Sequence, residues 1–594
     1  MTASSPTPHH WQHQDRFVIL RAGFAGGHNL LADWHAWRQD PHRCAHLHLI
    51  CVDASFPAQA ELAALLKDSP QPELAAQLLA LYPPITPDLH RLAFEGGCVQ
   101  WLLVPGAIEE VLSALVARVD AFELDAHPLP SGPSRLPKAL ARLAARSALL
   151  RARSANTVWE HGLRAAGFVC ETEASTGTLA RYAPVFVPKR SPSAPHGSHT
   201  DGKHALVLGA GLAGCASAWA LSEHGWTTTL IDRQDAPARE TSGNAAGLFH
   251  GIVNPQDGVH ARFNRAAALE TQRAVDIALH KHHTIGQRDG LLRLASGDAN
   301  VAEMNAMLQR LQLPSSYVRA VPPDEATELA GLPVAVPAWF YPGGGWVSPA
   351  GLAASYLARA SNAAVQHMAC DVHSIRRVDR QWQVLDVQGT VIEEAEVLVL
   401  ANALHALSLV DERSWSQLSV RGQISMMPAE GMRLPLRPLA GAGYVLPRVD
   451  GQAVFGATSQ PGDSDAAVRD ADHQHNLAQL ARLTGQAIDA DGRMVTGRTG
   501  WRCVTDDRLP LIGAVPDLAA VAASESIPDR PRRVPRLPGL FVFSGLGSRG
   551  ITWSALGAQT LAASISGAPM PMEASLLDAV DPARFVSRTV RRKA

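Results

Sequence analysis

The hydrophobic pattern changes most sharply in Val207–Arg233, VLGAGLAGCASAWALSEHGWTTTLIDR, which predicts strand, glycine turn, helix and a second strand ending at an acid. Gly539–Ala558, GLFVFSGLGSRGITWSALGA, again reads as strand, glycine loop and helix. Val397–Ala406, VLVLANALHA, reads as a buried parallel strand ending in small residues, and Val365–Asp371 as another strand. Gly343–Leu352, GGGWVSPAGL, begins a helix after a turn. Val185–His204, VFVPKRSPSAPHGSHTDGKH, breaks every hydrophobic period with proline, serine, glycine and charge, and predicts a solvated linker. A segment of roughly one domain length precedes it and a larger one follows. We find no internal repeat.

The first of these patterns carries chemistry. Gly209, Gly211 and Gly214 form a GxGxxG turn. The first glycine permits the bend, the second lets backbone amides approach a pyrophosphate, and the third lets the helix pack close to its strand. The positive end of the helix then faces the phosphates. Twenty-three positions after Gly209 (232 minus 209), Asp232 can accept the hydrogen bonds of an adenosine ribose. In TSGNAAG, residues Ser242, Gly243 and Asn244 can lay amides and a hydroxyl along a phosphate or ribityl chain, and Val372 can meet an adenine edge. A return to the sheet late in the chain favours FAD over NAD. It places Gly545, Gly547, Ser548, Gly550 and Ile551 at a helix start, where the dipole stabilises negative charge on a reduced flavin.

At 594 residues the chain exceeds one core, so two or three domains are expected. With 46% hydrophobic and 18% charged residues, wholesale disorder is excluded. A net charge of −2 argues against a general polyanion binder while leaving room for local basic faces. Seven scattered cysteines without a CxxC pair indicate reduced-compartment usage, with no disulfide framework and no metal expected. The opening MTASSPTPHHWQHQDR has no basic region followed by an apolar core, and VLVLANALHALSLV is too short to span a bilayer. The expectation is a cytoplasmic protein with no membrane partner.

The region from about His204 to Ala594 resembles the glycine oxidase and D-amino-acid oxidase class of flavoenzymes, and more closely the oxidase half of the MnmC family of bacterial tRNA wobble-uridine modification enzymes. The matches are GAGLAG, TSGNAAG, VRGQ (Val420–Gln423), YVLPRVDGQAVFGAT (Tyr444–Thr458), GWRCVTDDRLPLIGAVPD (Gly500–Asp517) and SGLGSRGI (Ser544–Ile551). The resemblance implies FAD and oxidation of a carboxymethylaminomethyl group on uridine, which releases glyoxylate and leaves an aminomethyl group. Such chemistry asks chiefly for placement. A guanidinium suits the substrate carboxylate. Arg502 occupies the position of the family's carboxylate-binding arginine, and Arg549 is the second choice, with pairing to Asp506 or Asp507 as its alternative role.

Residues 1–186 resemble the methyltransferase domain that precedes the oxidase in the same family. The matches are RFVILRAGFAGGHNLLADWHAW, LHLICVDASFP, VDAFELDAHPLP and HGLRAAGF. The resemblance implies S-adenosylmethionine at the loop containing Gly23, its ribose on Asp53, and Asp125 as the active-site acid. Several positions depart from the family. Arg21 replaces an acid, Ala25 replaces a loop glycine, Glu123 replaces an aromatic, and the run after the catalytic acid is missing. Methyl transfer is therefore set against a degenerate domain that docks tRNA or braces the oxidase.

Ser134–Ser154 carries Arg135, Lys138, Arg142, Arg146, Arg151 and Arg153, and Arg584–Ala594 adds a second basic cluster. Either can neutralise tRNA phosphates, or simply form the solvated face of an amphipathic helix. The expected fold is α/β: a Rossmann-like methyltransferase-type domain (1–186), a linker (187–203), and a Rossmann FAD domain interleaved with an antiparallel substrate sheet (204–594). The leading function is tRNA wobble-uridine modification. Its rivals are an oxidase of glycine or small amino acids with a non-catalytic amino-terminal domain, and a flavin-containing tRNA-binding scaffold.

Overall fold

The computed structural model describes residues 11–124, 132, 134–154, 156–173, 177–186, 202–296, 298–360, 363–410, 415–488, 494–524 and 529–591. Asp125 and linker positions 187–201 lie outside the described residues. The chain divides into two compact units, Met1–Ser198 with Ala563–Leu577, and His199–Ala562 with Asp578–Ala594.

The first unit is built on strands β1 (Arg16–Ala22), β2 (His46–Asp53), β3 (His90–Phe94), β4 (Val99–Pro105), β5 (Val119–Glu123), β6 (Ala144–Ala152), β7 (Phe168–Glu173) and β8 (Gly177–Tyr182). Their order is β3-β4-β2-β1-β5-β6-β8-β7. The run β4-β2-β1-β5-β6 is parallel, β3 is antiparallel to β4, and β8 is antiparallel to both β6 and β7. The central strands are apolar on both faces. Val18, Leu20, Ala22, Ile50 and Val52 enter one core, and Phe17, Ile19, Leu47, Leu49 and Cys51 the other. That double burial explains runs such as FVIL with no polar alternation. Strand order reverses beside β1, so the carboxyl ends of β1, β2 and β5 bring Gly23, Asp53 and Glu123 to the place where such sheets bind ligands.

The basic stretch 134–154 is not one amphipathic helix. Leu136–Leu143 is helical and Ala144–Ala152 is β6, an interior strand. Alternation breaks at Arg146 and Ser147, which are both exposed and where Ser147 takes φ 64°, while Arg151 is half-buried. Arg142 Nη2 donates to the carbonyls of Leu112 and Leu115, so that charge ties two turns together.

The second unit opens with β9 (His204–Leu208) and β10 (Thr227–Ile231). They belong to a six-stranded sheet ordered Ala364–His367, β10, β9, Val397–Leu400, Arg536–Ser544 and Leu511–Pro516, parallel except at the last pair. The helix Leu212–Glu223 is rich in small residues because it is buried on nearly every side. Trp219 stacks on Tyr356 of the neighbouring helix Pro349–Arg359, with ring centroids 5.1 Å apart. The strand expected over Val365–Asp371 ends at His367, leaving Val372 in the following loop. Gly345–Val347 forms a short strand against Gly247–Phe249 before the helix at Pro349 begins.

The second unit also holds a nine-stranded mixed sheet. Its longest pair is Gln417–Pro428 against Thr496–Thr505, antiparallel over ten register positions from Gln417↔Thr505 to Met426↔Thr496. Arg421, inside VRGQ, is fully buried beneath the segment 460–472. Its Nε donates to Asp465 O at 2.7 Å, Nη2 to Ala467 O at 2.6 Å and Nη1 to Asp472 Oδ2 at 2.6 Å. Arg421→Met leaves Asp472 buried without its cation, so unfolding free energy should fall by about 3–5 kcal/mol. Urea denaturation checks this, with Arg421→Met/Asp472→Leu expected to recover most of the loss. A change under about 1 kcal/mol in the single variant would show that the pair does not hold the segment.

Candidate functional site

After β9 the chain turns at Gly209, whose φ of 102° favours glycine. A Cβ there would lie 2.7 Å from Ala401 O, and one on Gly214 would lie 1.7 Å from Gly209 O. Neither position takes a side chain without moving backbone. Gly211 caps the helix, and its Cβ would sit 3.3 Å from Ser242 Oγ, filling the gap that a phosphate approaching the helix needs. Leu212 N donates to Ser242 Oγ at 3.2 Å. At the end of β10, Asp232 Oδ2 accepts from Ala210 N at 2.6 Å and Oδ1 from Gln234 N at 2.8 Å. The carboxylate therefore clamps the turn, and its remaining lone pairs are available to ribose hydroxyls.

These elements open onto a continuous cavity of about 810 Å³. Gly209, Gly211, Asp232, Ser242, Asn244, Val372, Gly545, Gly547, Ser548, Gly550 and Ile551 line it. Gly214 and Gly243 are not on its wall. Gly214 serves packing, and Gly243 is required because a Cβ would lie 2.6 Å from both Ala238 O and Arg498 Nη2. The wall's acids, Asp232, Glu240 and Asp371, gather near the end of β10: Arg233 Nη2 meets Glu240 Oε1 at 2.8 Å, and Cys370 N donates to Asp232 O at 2.9 Å. The mixed sheet and the last glycine loop contribute instead three arginines, Arg293, Arg502 and Arg549.

Arg502 stands on the strand Thr496–Thr505, in register with Val420. Gly422 makes room for it, since a Cβ there would be 2.6 Å from Arg502 Nη2. Arg502 Nη1 donates to Thr458 O at 3.1 Å, and burial pulls the guanidinium below its ordinary range while the Tyr444 hydroxyl opposes that shift. The same strand steadies the cofactor side: Arg498 Nη2 donates to Arg239 O at 2.6 Å and Glu240 O at 2.7 Å, and Thr241 Oγ1 to Trp501 O at 2.7 Å.

Arg549 precedes the helix Gly550–Ser566. With the Asn264 amide turned to satisfy its neighbours, Asn264 Oδ1 accepts from Arg549 Nη1 at 3.1 Å and from Trp553 Nε1 at 3.2 Å. The alternative pairing with an acid does not form. Asp506 accepts from Ser416, and Asp507 is held by Arg584, Nε to Oδ2 at 2.8 Å and Nη2 to Oδ1 at 2.9 Å. Arg584 is buried, and Arg588 also pairs with Asp507. Those two arginines of the carboxyl-terminal cluster therefore brace the DDRLPLIG segment. Burial, then Arg293, lowers the Arg549 guanidinium to about 10. His250, fully desolvated beside Arg549 and Arg293, is pushed down to about 3 and is neutral.

Sequence reasoning missed Arg293, His250 and the Arg233–Glu240 pair, and assigned no role to Tyr444. A lone arginine in LLRL carries no signal of which cavity it faces, whereas Tyr444 lay inside a motif already singled out.

In the first unit, Asp53 reproduces the Asp232 clamp. Its Oδ2 accepts from Phe24 N at 2.6 Å, and Oδ1 from Ser55 N at 2.9 Å. Gly23 takes φ 93° and Ala25 φ 45°. Arg21 makes a buried bidentate pair with Asp33, at 2.6 and 2.8 Å, and lies in register with Glu123 on β5. Its charge is thus met within the protein. Among the described residues no group of three or more His, Cys, Asp and Glu is placed to hold a metal, and no helix is long and apolar enough to cross a membrane.

Residues 204–564 match the family described as FAD dependent oxidoreductase. The chain is 47% identical to the tRNA 5-methylaminomethyl-2-thiouridine biosynthesis bifunctional protein MnmC of Methylibium petroleiphilum, over 97% of this chain and 91% of that protein. It is 37% identical to the MnmC protein of Burkholderia mallei strain SAVP1, over 98% and 92%. Among solved structures, glycine oxidase from Geobacillus kaustophilus superposes with a TM-score of 0.51 at 22% identity, over 64% of this chain and 98% of its own. L-proline dehydrogenase from P. horikoshii also gives 0.51, at 14% identity over 65% and 98%. These structural likenesses establish a shared fold.

Because the folded guanidinium of Arg549 titrates below its unfolded value, its charge subtracts from stability below about pH 10, and the penalty fades above it. Arg549→Gln should therefore melt higher than the FAD-loaded wild type at pH 8 without added carboxylate. Wild-type affinity for acetate, read from the flavin absorption band, should fall as pH rises through about 10, and the variant should lack that fall. A variant melting no higher than wild type would show that Arg549 is already neutralised.

Proposed function

Because the chain belongs to the MnmC family, and its residues 204–564 to the FAD dependent oxidoreductase family, we propose that it modifies the wobble uridine of tRNA in the cytoplasm. The substrate on this reading is a 5-carboxymethylaminomethyl-2-thiouridine. Residues 204–564 make it an FAD-dependent oxidoreductase. The division of labour is a methyltransferase-like domain over 1–186, a linker over 187–203 and the oxidoreductase domain over 204–594.

The cavity fits FAD because a side chain at Gly209 or Gly214 would strike backbone and one at Gly211 would crowd Ser242 Oγ. The Gly209–Gly214 turn with Ser242 and Asn244 would hold the pyrophosphate, Asp232 the ribose and Val372 the adenine edge. Gly545, Gly547, Ser548, Gly550 and Ile551 would lie along the flavin at a helix start. FAD supplies the two-electron acceptor for the carbon–hydrogen bond beside the amine. Overall, R–NH–CH2–COO⁻ and water yield R–NH3⁺ and glyoxylate, with two electrons and one proton passing to FAD.

The chain's own residues place that group. Arg502 grips the carboxylate in the space opened by Gly422, with Tyr444 beside it. Arg549 also disfavours a second cation, so the bound amine is held in the neutral form, whose lone pair assists loss of the adjacent C–H bond. His250, neutral and buried, adds no competing charge. The observation that carries this reading is the two-ended cavity, acidic where a ribose belongs and arginine-lined where an acidic amine belongs.

The Asp53 clamp favours a second step, S-adenosylmethionine-dependent methylation of the aminomethyl product in the first unit. Incubation with tRNA bearing the carboxymethylaminomethyl group, followed by mass analysis of the wobble nucleoside, tests both steps. Loss of the carboxymethyl mass without S-adenosylmethionine is expected, with one methyl gained when it is added. A persistent aminomethyl product would remove the methyl-transfer step, and an unaltered nucleoside would remove the oxidase reading. Arg502→Ala should lower kcat/KM for this tRNA by at least about 100-fold with flavin content unchanged, since a charge-assisted bidentate contact is lost.

A further inference from the structure

The strand Leu291–Leu294 reads LLRL, an arginine in an apolar run. Leu291 and Leu292 are buried, while Arg293 is half-buried on the cavity wall. Its register partners are Trp339 and Ala440, both in the mixed sheet, not in the parallel sheet whose glycine turn takes the pyrophosphate. The acids of the wall, Asp232, Glu240 and Asp371, lie near the end of β10. No ion pair between Arg293 or Arg549 and a carboxylate forms among the described residues. Arg293 acts electrostatically on Arg549, His250 and Tyr341. His250 and Tyr341 are neutral, so neither offsets the two guanidiniums.

The charges then have to be matched. One carboxylate saturates one guanidinium fork, and Arg502 beside Tyr444 is placed to take it. Negative charge on a reduced flavin would be met by the start of the helix Gly550–Ser566. Arg293 and Arg549 remain, two like charges in one partly desolvated cavity. Such a pair is stabilised by an oxyanion that both can reach. Free glycine has no second anionic group, whereas a nucleotide within RNA carries a phosphodiester at the 5′ and 3′ oxygens of its ribose.

We propose that Arg293, together with Arg549, forms a second oxyanion subsite that binds a phosphodiester flanking the modified base, so that the cavity selects a nucleotide over a free amino acid. This rests on the tRNA reading above. Arg293 is a binding residue that sets specificity, and the oxidation itself does not require it.

The test uses the FAD-loaded full chain and two small probes with the same reacting group, 5-carboxymethylaminomethyluridine and its 3′,5′-bisphosphate. Anaerobic flavin reduction separates dissociation constant from maximal rate for each. Wild type should bind the bisphosphate about tenfold more tightly than the nucleoside. Arg293→Gln should bind both equally, keep the wild-type nucleoside affinity and reduce its flavin at a rate within about twofold of wild type. Arg293→Lys should restore part of the preference. Independently of turnover, the log–log salt slope for binding modified tRNA, read by fluorescence anisotropy, should shrink by about 1 in Arg293→Gln. The proposal is overturned if wild type does not discriminate between the probes, or if Arg293→Gln weakens nucleoside and bisphosphate alike. Failure of the nucleoside, the bisphosphate and modified tRNA all to reduce the flavin, while glycine does so, would instead overturn the tRNA reading.

Discussion

Guanidinium groups withdrawn from water, on a wall whose acids are gathered at another end, impose the constraint on which this site depends. Arg293, Arg502 and Arg549 share one cavity, and burial lowers Arg502 and Arg549 from their ordinary range. Desolvating a cation without its counter-charge is unfavourable, and a folded protein tolerates it where a ligand completes the charge. The surrounding sheet is arranged to maintain that condition. Gly422 clears the space for Arg502, Asn264 holds Arg549 through a neutral amide, and His250 stays uncharged. Asp507, an acid that could have neutralised Arg549, is occupied by Arg584 and Arg588.

The same logic of local satisfaction appears at the two strand-end acids. Asp232 and Asp53 each accept a backbone N–H from the residue after the first turn glycine, and a second from two residues further along their own chain. Each therefore shapes its loop before any ligand arrives, while a carboxylate retains lone pairs for hydroxyls. Preorganisation of this kind reduces the ordering that binding would otherwise require. In the second unit the strand Thr496–Thr505 carries this coupling further, because Arg498 fixes the 239–240 carbonyls and Thr241 bonds to Trp501 O one residue before Arg502. The 239–241 loop and Arg502 are thus held by one strand.

Much of this was legible in the chain. GAGLAG, TSGNAAG and SGLGSRGI are local patterns whose glycines answer close backbone contacts, so strand, turn and helix follow from sequence with little help from the rest of the molecule. Arg549 sits inside SGLGSRGI and Arg502 inside GWRCVTDDRLPLIGAVPD, so both stood out in the sequence. Charge clusters were not legible in the same way. The 134–154 stretch splits into helix and interior strand, and Arg142 and Arg584 turn inward to carbonyls and to Asp507. A basic side chain long enough to reach a buried acceptor looks the same in sequence as one facing solvent.

Residue order alone was enough for the two glycine turns, the acids at the ends of their second strands and the motifs that hold Arg502 and Arg549, because each turn is set by contacts only a few residues away and each motif reads as a unit. Tertiary structure alone decided which charges remain unmatched. Arg293 enters the cavity through the register of a short strand with Trp339 and Ala440, and Arg21 is neutralised by an acid twelve positions away on another element. Electrostatic pairing depends on distance in space, and sheet register, not chain order, sets that distance.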